Sequence, residues 1–191
     1  MPEGVEWHGG IAFLDRDGVL NIGSEAYVKS LAELAFFGGE GHCVGRLRRA
    51  GYRIVIVTNQ SPVNRGILTH DDLAEIHDAV QAHLLAEDED AHLDLILYSP
   101  YAPWEGGEVR KPGAGMLRVG RQLLAGEALD ALRKMQEPQI SFMAGDRDAD
   151  MGAAWHGGVR AFRVDPEIGI ESVIERVLKD SDLGDYPEIL S

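Results

Sequence analysis

Five short apolar runs constrain the fold of this chain more than any other feature. They cover residues 11–14, 53–57, 93–98, 140–144 and 159–164. Most are apolar at consecutive rather than alternate positions, which is typical of strands buried on both faces. Stretches with helical periodicity separate them. The order predicts an α/β fold, namely a doubly wound, Rossmann-like sheet of five parallel strands with helices on both faces.

The clearest helical stretch repeats buried-type residues at the spacing i, i+3, i+4, i+7. Its members are Leu73, Ile76, His77, Val80 and Leu84. Thr69, followed by two acids, is typical of a helix start. Weaker helical patterns run over residues 116–132 and 170–178. We find no repeat or linker, so we expect one domain over residues 1–191, with its core at about 11–164 and a C-terminal helix and acidic tail at 165–191.

The net charge of the chain limits the classes of partner that we expect it to bind. There are 18 Lys and Arg residues against 32 Asp and Glu residues, a net charge of −14. Such a surface repels nucleic acids and anionic membranes, so we expect neither as a partner. It also repels phosphorylated metabolites, so a phosphate site has to be a local basic pocket. The sequence leaves the oligomeric state open.

The N-terminal residues and the cysteine content bear on location. Residues 1–4 lack the basic and apolar segments of a signal peptide, and no apolar run approaches the roughly 20 residues needed to cross a bilayer. Cys43 is the single cysteine, which excludes an internal disulfide and a multi-thiolate zinc site. We therefore expect a cytoplasmic protein.

Polar residues follow the predicted strands, where ligands bind in parallel sheets. Asp15 and Asp17 come directly after the first strand, followed by Gly18 and Asn21. Two carboxylates this close repel each other unless a cation or a shared proton relieves the repulsion. A turn at Asp17 and Gly18 is an alternative explanation of the same residues.

Three further polar groups come after the later strands. They are Thr58 with Asn59, Arg110 with Lys111, and Asp146 with Asp150. Taken singly, these groups also fit a strand-end turn, a solvated loop and an acid-rich helix start, respectively. Taken together, they provide acids for a metal ion, a nucleophile and proton transfer, and a hydroxyl and a lysine for phosphate. Those are the components that phosphoryl transfer needs.

These motifs resemble those of the haloacid dehalogenase superfamily of phosphatases. The matching residues are Asp15, Asp17, Gly18, Asn21, Thr58, Asn59, Lys111, Pro112, Gly145, Asp146 and Asp150. Within the superfamily, the chain is most similar to the group of histidinol phosphatases and D-glycero-D-manno-heptose 1,7-bisphosphate phosphatases. Residues 14–21, 27–28, 58–61, 65–66, 110–112 and 115–116 carry that similarity, and the whole resemblance runs from about residue 11 to 164.

The resemblance implies a role for each group. Asp15 would be the nucleophile that forms an aspartyl-phosphate, and Asp17 would protonate the leaving oxygen and then deprotonate water. The implied Mg²⁺ ligands are Asp15, Asp146 and the backbone carbonyl of Asp17, and Asp150 would bind the ion either directly or through another ligand. The implied phosphoryl ligands are Thr58, Asn59 and Lys111, and the candidates for the rest of the substrate are Arg110 and Arg65.

Two departures from the group bear on the substrate. Many members carry a Cys/His zinc loop before the Arg-Lys-Pro string, whereas residues 98–109 contain neither Cys nor His, so we expect no structural zinc. Pro62 stands where the group usually has glycine, and proline stiffens the loop and removes a backbone donor. The gaps between motifs are short, which predicts a domain without a cap.

The favoured hypothesis is a Mg²⁺-dependent phosphatase acting on a small phosphorylated metabolite, first a sugar bisphosphate such as heptose 1,7-bisphosphate. Histidinol phosphate or another phosphomonoester is the alternative substrate. A catalytically inactive phosphate-binding or assembly module is an alternative of another class. A phosphomutase is disfavoured without a cap to exclude water. A phosphorylation receiver is disfavoured because the third strand ends in Tyr98 and Ser99, without an acid.

Overall fold

A single parallel sheet organises the computed structural model, which describes residues 1–125 and 140–185. Its strands are β1 (Ile11–Leu14), β2 (Arg53–Asn59), β3 (Leu95–Ser99), β4 (Phe142–Gly145) and β5 (Arg160–Arg163). All neighbours pair in parallel, in the order β3-β2-β1-β4-β5. The predicted five-stranded parallel sheet is confirmed. The bounds of β2 to β5 differ from the predicted runs by one or two residues. For example, β2 continues to Asn59, and β3 starts only at Leu95.

Helices connect the strands. They are α1 (Glu40–Arg49), α2 (Ser61–Asn64), α3 (His70–Glu87), α4 (Gly115–Ala125), α5 (Asp148–Gly157) and α6 (Ile174–Val177), with 3₁₀ turns at Leu31–Glu33 and Ile170–Ser172. The predicted helix over 116–132 is present up to residue 125, and residues 126–132 lie outside the described part. The prediction of one helix over 170–178 is wrong. Val173 (φ −122°, ψ −5°) leaves helical geometry and separates a 3₁₀ turn from α6.

Alternate strand residues pack against helices on opposite faces of the sheet. Ala12 and Leu14 join the core formed with α1 and α3, whereas Ile11 and Phe13 join the core formed with α4 and α5. Both faces of β1 are fully buried. This two-sided burial explains why the strands are apolar at consecutive positions, and it makes the domain doubly wound.

The long helix α3 forms as its periodicity predicts. Its buried residues are Leu73, Ile76, His77, Val80 and Leu84. Thr69 caps it, because the Thr69 hydroxyl oxygen accepts a hydrogen bond from the Asp72 N–H and the Asp72 carboxylate accepts one from the Thr69 N–H. This reciprocal pair satisfies two donors that a helix start leaves free.

Glu40 and Glu87 cap the start of α1. Their carboxylates accept hydrogen bonds from the backbone N–H groups of residues 37, 38, 39 and 41. His83 Nε2 lies 3.4 Å from the Glu40 carboxylate and 3.5 Å from that of Glu87. These polar side chains therefore stabilise the fold, away from the polar residues that follow the strands.

The order of the strands determines where a ligand can bind. β1 lies between β2 and β4. The chain runs from β1 outward to β2 and β3 and then crosses back to β4 on the other side of β1, so a crevice opens at the carboxyl edge of these strands. The two stretches where a cap is commonly inserted, residues 15–52 and 60–94, are described in full and hold only loops, one 3₁₀ turn, α1, α2 and α3. Among the described residues, no helix is both long and apolar enough to cross a membrane.

Phe142 provides a test of the core beneath this crevice. It is fully buried in β4, with ring centroids 5.4 Å from Tyr52 and 5.8 Å from Phe162. We expect Phe142→Ala to lower the free energy of unfolding by about 3–5 kcal/mol, because it removes buried apolar surface and leaves a cavity. Urea denaturation measures the change. The control, exposed Leu123→Ala, should change it by less than about 0.5 kcal/mol, and equal losses would contradict this packing.

Candidate active site

A pocket of about 470 Å³ opens at the carboxyl edge of the sheet. Most of the residues predicted from the strand-end motifs line it, namely Asp15, Asp17, Thr58, Asn59, Arg110, Lys111 and Asp150. Asp146 lies directly behind the lining, and Arg65 lies outside it. The fold thus brings together residues from four separate segments, while their individual roles remain predictions.

The buried ammonium group of Lys111 lies at the centre of the site. Its Nζ is 3.0 Å from Asp15 Oδ1 and 2.6 Å from Asp150 Oδ1, and it donates a hydrogen bond to the Val57 carbonyl at 2.7 Å. Burial opposes the charged form, but the two carboxylates outweigh it and raise the pKa of Lys111 above its ordinary value. Lys111 is therefore a fixed positive charge beside Asp15.

At Asp15, unlike at Lys111, the effect of burial on the pKa is larger than that of the neighbouring opposite charge. Burial raises the pKa of Asp15 to about 6, because it outweighs the attraction of the Lys111 ammonium, and the Asp150 and Asp17 carboxylates add to the rise. The Arg16 N–H donates to Asp15 Oδ1 at 2.7 Å. Further positive charge beside Asp15 would lower this pKa and favour the ionised carboxylate.

Three carboxylates could share a divalent cation here. Single oxygens of Asp15, Asp146 and Asp150 lie within 4.8 Å of one another. Asp146 Oδ1 is buried and has no hydrogen-bond partner among the described residues, and burial raises the pKa of Asp146. A buried carboxylate oxygen without a partner is costly unless a cation binds it. The residues present therefore fit a hard cation with oxygen ligands.

Gly18 lets the first loop approach this cluster. Its φ of +81° is in the left-handed region, and a Cβ at this position would lie 2.7 Å from Asp146 Oδ2. Only glycine satisfies both conditions without strain. The glycine of the first motif therefore keeps Asp146 close to Asp15.

Asp17 is held as a carboxylate. The fully buried Arg16 binds it through two guanidinium nitrogens at 2.9–3.2 Å, and the side-chain amides of Asn21 and Gln60 each donate to it at 3.0 Å. Burial acts to raise the pKa of Asp17, but these partners, Arg16 above all, outweigh it and lower the pKa. Asp17 is thus held in its ionised form.

Asn59 holds the backbone of Lys111. Its Nδ2 donates to the Lys111 carbonyl at 3.0 Å, and its Oδ1 accepts from the Lys111 N–H at 3.1 Å. Both polar ends of the Asn59 side chain are therefore engaged with the chain that carries the ammonium. Its expected contact with a phosphoryl oxygen stays a prediction.

The two candidate substrate arginines differ in position. Arg110 lines the pocket and donates to the Tyr101 carbonyl at 2.7 Å. Arg65 lies behind Tyr27, with Nη1 3.5 Å from the Tyr27 hydroxyl, and it is Tyr27 that lines the pocket. A direct substrate contact is therefore better placed for Arg110 than for Arg65.

The Glu105 carboxylate stabilises the loop that precedes Lys111. The Glu105 carboxylate accepts a hydrogen bond from the Ala102 N–H at 2.6 Å and another from the Asn64 side chain after β2. Pro103, Gly106 and Gly107 of this loop line the pocket. Carboxylate hydrogen bonds thus order a loop that contains neither Cys nor His.

Sequence reasoning missed four site residues: Arg16, Tyr27, Gln60 and Arg147. Arg16 and Gln60 bind Asp17, and Tyr27 and Arg147 line the pocket. All four stand inside or beside the residues that carry the family resemblance, which was the available signal. No pattern in the local sequence predicts the left-handed backbone of Tyr27 (φ 65°).

The fold and site define a class. A doubly wound sheet that gathers an Asp pair, a threonine, a lysine and two more aspartates at its switch point has the architecture of haloacid dehalogenase-type phosphohydrolases. A scan against protein-family models finds no match.

Comparison with known proteins identifies the group. The chain is 33% identical over 174 residues to D-glycero-beta-D-manno-heptose-1,7-bisphosphate 7-phosphatase of Rhodopseudomonas palustris, covering 87% of this chain and 89% of that relative. It is 37% identical over 109 residues to the protein of the same name from Pseudomonas putida, covering 57% of this chain and 61% of that relative. The crystal structure of D,D-heptose 1.7-bisphosphate phosphatase from B. bronchiseptica, complexed with magnesium and phosphate, superposes with a TM-score of 0.70. That structure is 29% identical and covers 94% of this chain and 89% of its own. The chain therefore belongs to the heptose-bisphosphate phosphatase family of the haloacid dehalogenase superfamily.

The pKa of Asp15 gives the cation site a testable pH dependence. Protons and the cation compete for the Asp15 carboxylate, so we expect Mg²⁺ affinity to be nearly constant above pH 7 and to fall about tenfold per unit below pH 6. Isothermal titration with Mg²⁺ between pH 5 and 8 measures this. Exposed Asp71→Asn should reproduce the profile, and an affinity independent of pH would show that Asp15 is not a ligand.

Proposed function

We propose that this protein is a Mg²⁺-dependent phosphatase that hydrolyses a sugar bisphosphate of the heptose 1,7-bisphosphate type through an aspartyl-phosphate on Asp15. The observation that carries the proposal is the contact of the Lys111 ammonium with Asp15 and Asp150, beside Asp146, whose buried Oδ1 has no hydrogen-bond partner among the described residues. The names of the relatives support the substrate class.

The metal ion has an assigned place in this proposal. The carboxylates of Asp15, Asp146 and Asp150 and the backbone carbonyl of Asp17 would hold Mg²⁺. When bound, it supplies positive charge that offsets the repulsion between the phosphoryl group and the Asp15 carboxylate. Lys111 provides the second positive charge at the same carboxylate.

In the first step, an Asp15 carboxylate oxygen attacks phosphorus. A bond forms between Asp15 and phosphorus, and the bond from phosphorus to the sugar oxygen breaks. The sugar oxygen takes a proton from Asp17. The pKa of Asp17 is lowered in the free protein, but a phosphoryl anion in the pocket raises it, which favours the protonated form that this step needs.

In the second step, water attacks the aspartyl-phosphate. Asp17, now a carboxylate held by Arg16, takes the proton from water, and the bond from phosphorus to Asp15 breaks. The sum of both steps converts ester and water into alcohol and inorganic phosphate. Thr58 and Lys111, which line the pocket, bind the phosphoryl oxygens in both steps.

The pocket suits a second anionic group on the substrate. Its size, about 470 Å³, is within the usual range for small-molecule sites. Arg110 and Arg147 line it, on a chain whose net charge is −14. Guanidinium groups bind phosphate through paired hydrogen bonds. A bisphosphate therefore fits better than a phosphomonoester that carries no second anionic group.

The chemistry is tested by phosphate release from sugar bisphosphates, histidinol phosphate and an aryl phosphate. With Mg²⁺ we expect turnover that EDTA abolishes and that Asp15→Asn reduces at least about a thousandfold, because the nucleophile is lost. Asp71→Asn is the matched control and should retain full activity. Folded wild-type protein that releases no phosphate from any of these compounds would contradict the proposal, and histidinol phosphate as the best substrate would replace the bisphosphate.

Substrate preference is tested at the two pocket arginines. We expect Arg110→Ala and Arg147→Ala each to lower kcat/KM for the bisphosphate by about tenfold to a hundredfold, since each removes a charged hydrogen bond to the second phosphate. With the monophosphate the loss should be under about threefold. Arg46→Ala, an exposed arginine paired with Glu175, is the control. Equal losses on both substrates would contradict a second-phosphate role.

A further inference from the structure

Gln60 links two of the predicted catalytic side chains. It follows β2, is fully buried, and its backbone N–H donates to the Ser99 carbonyl at 2.7 Å. Its side-chain nitrogen donates to Thr58 Oγ1 at 3.0 Å and to Asp17 Oδ2 at 3.0 Å. The two contacts place Gln60 between the groups expected to act on the phosphoryl group and on the proton.

Both hydrogens of the Gln60 side-chain amide are engaged in hydrogen bonds. A carboxamide nitrogen carries two hydrogens and no acceptor, so one hydrogen goes to Thr58 and the other to Asp17. Thr58 is then the acceptor in its contact with Gln60, and its own hydroxyl hydrogen remains available. Among the described residues, this hydroxyl has no hydrogen-bond acceptor, and Thr58 lines the pocket.

We propose that Gln60 is a positioning residue that directs the Thr58 hydroxyl hydrogen towards the phosphoryl oxygens. By accepting from Gln60, Thr58 Oγ1 can reach an anion only as a donor, which is the role a phosphoryl oxygen requires. The second Gln60 hydrogen keeps Asp17 at the same edge of the pocket. This inference rests on the proposed function, in which a phosphoryl group occupies the pocket.

Inorganic phosphate is the probe, because its binding reports the Thr58 contact without turnover. Its dissociation constant is measured with saturating Mg²⁺ for wild type, Gln60→Met, Thr58→Val and the double variant. Thr58→Val should weaken binding about tenfold or more, the loss of one hydrogen bond to a charged group. Gln60→Met should weaken it by about threefold to tenfold, because the hydroxyl is no longer oriented.

The double variant decides between positioning and a general structural role. If Gln60 acts through the Thr58 hydroxyl, Gln60→Met should change binding less than about twofold once that hydroxyl is gone. If the loss of phosphate affinity in the double variant equals the product of the two single losses, the proposal is overturned. It is also overturned if Gln60→Met alone causes no loss, or if wild-type protein binds no phosphate. Circular dichroism and thermal unfolding confirm folding of each variant, and exposed Gln122→Met on α4 is the matched control.

Turnover separates this inference from the proposed function. Phosphate binding that follows the expected pattern, in a protein that hydrolyses no substrate, would support the role of Gln60 and overturn the phosphatase. Turnover with a Gln60 variant that binds phosphate like wild type would support the phosphatase and overturn the role of Gln60.

Discussion

The active site depends on one buried ammonium group, that of Lys111. A charge removed from water is stable only when it is paired and hydrogen-bonded, and Lys111 meets Asp15, Asp150 and the Val57 carbonyl. The same contacts relieve the repulsion among carboxylates gathered within 4.8 Å. Neither the Lys111 ammonium nor the carboxylates would be stable at this position alone. The three carboxylates still outnumber the one ammonium, and a divalent cation could balance the charge that is left.

The backbone makes this unit rigid. Asn59 at the end of β2 binds both the N–H and the carbonyl of Lys111, so the loop that follows β3 is fixed against the neighbouring strand. Gly18 allows the loop after β1 to pass close to Asp146. Positions thus set by backbone contacts need little reorganisation when charge moves during a reaction, which is the main requirement for electrostatic catalysis.

Two aspartates separated by one residue acquire opposite properties. Burial raises the pKa of Asp15 to about 6, whereas the partners of Asp17, with Arg16 foremost, outweigh its burial and lower its pKa. The same carboxyl group is therefore easier to protonate at Asp15 than at Asp17. Environments that push neighbouring pKa values apart are how one site assigns different roles to the same residue type.

The sequence by itself determined the order of the five strands along the chain, the helix α3 with its buried face, and the strand-end positions of the polar groups. These features depend on local periodicity, capping and turn chemistry, which neighbouring residues encode. Tertiary structure alone decided that Asn59 binds Lys111, that Arg65 lies behind Tyr27, and that Arg16 is buried against Asp17. Such partners come from segments brought together by packing or from burial that the whole fold creates, so no local pattern specifies them.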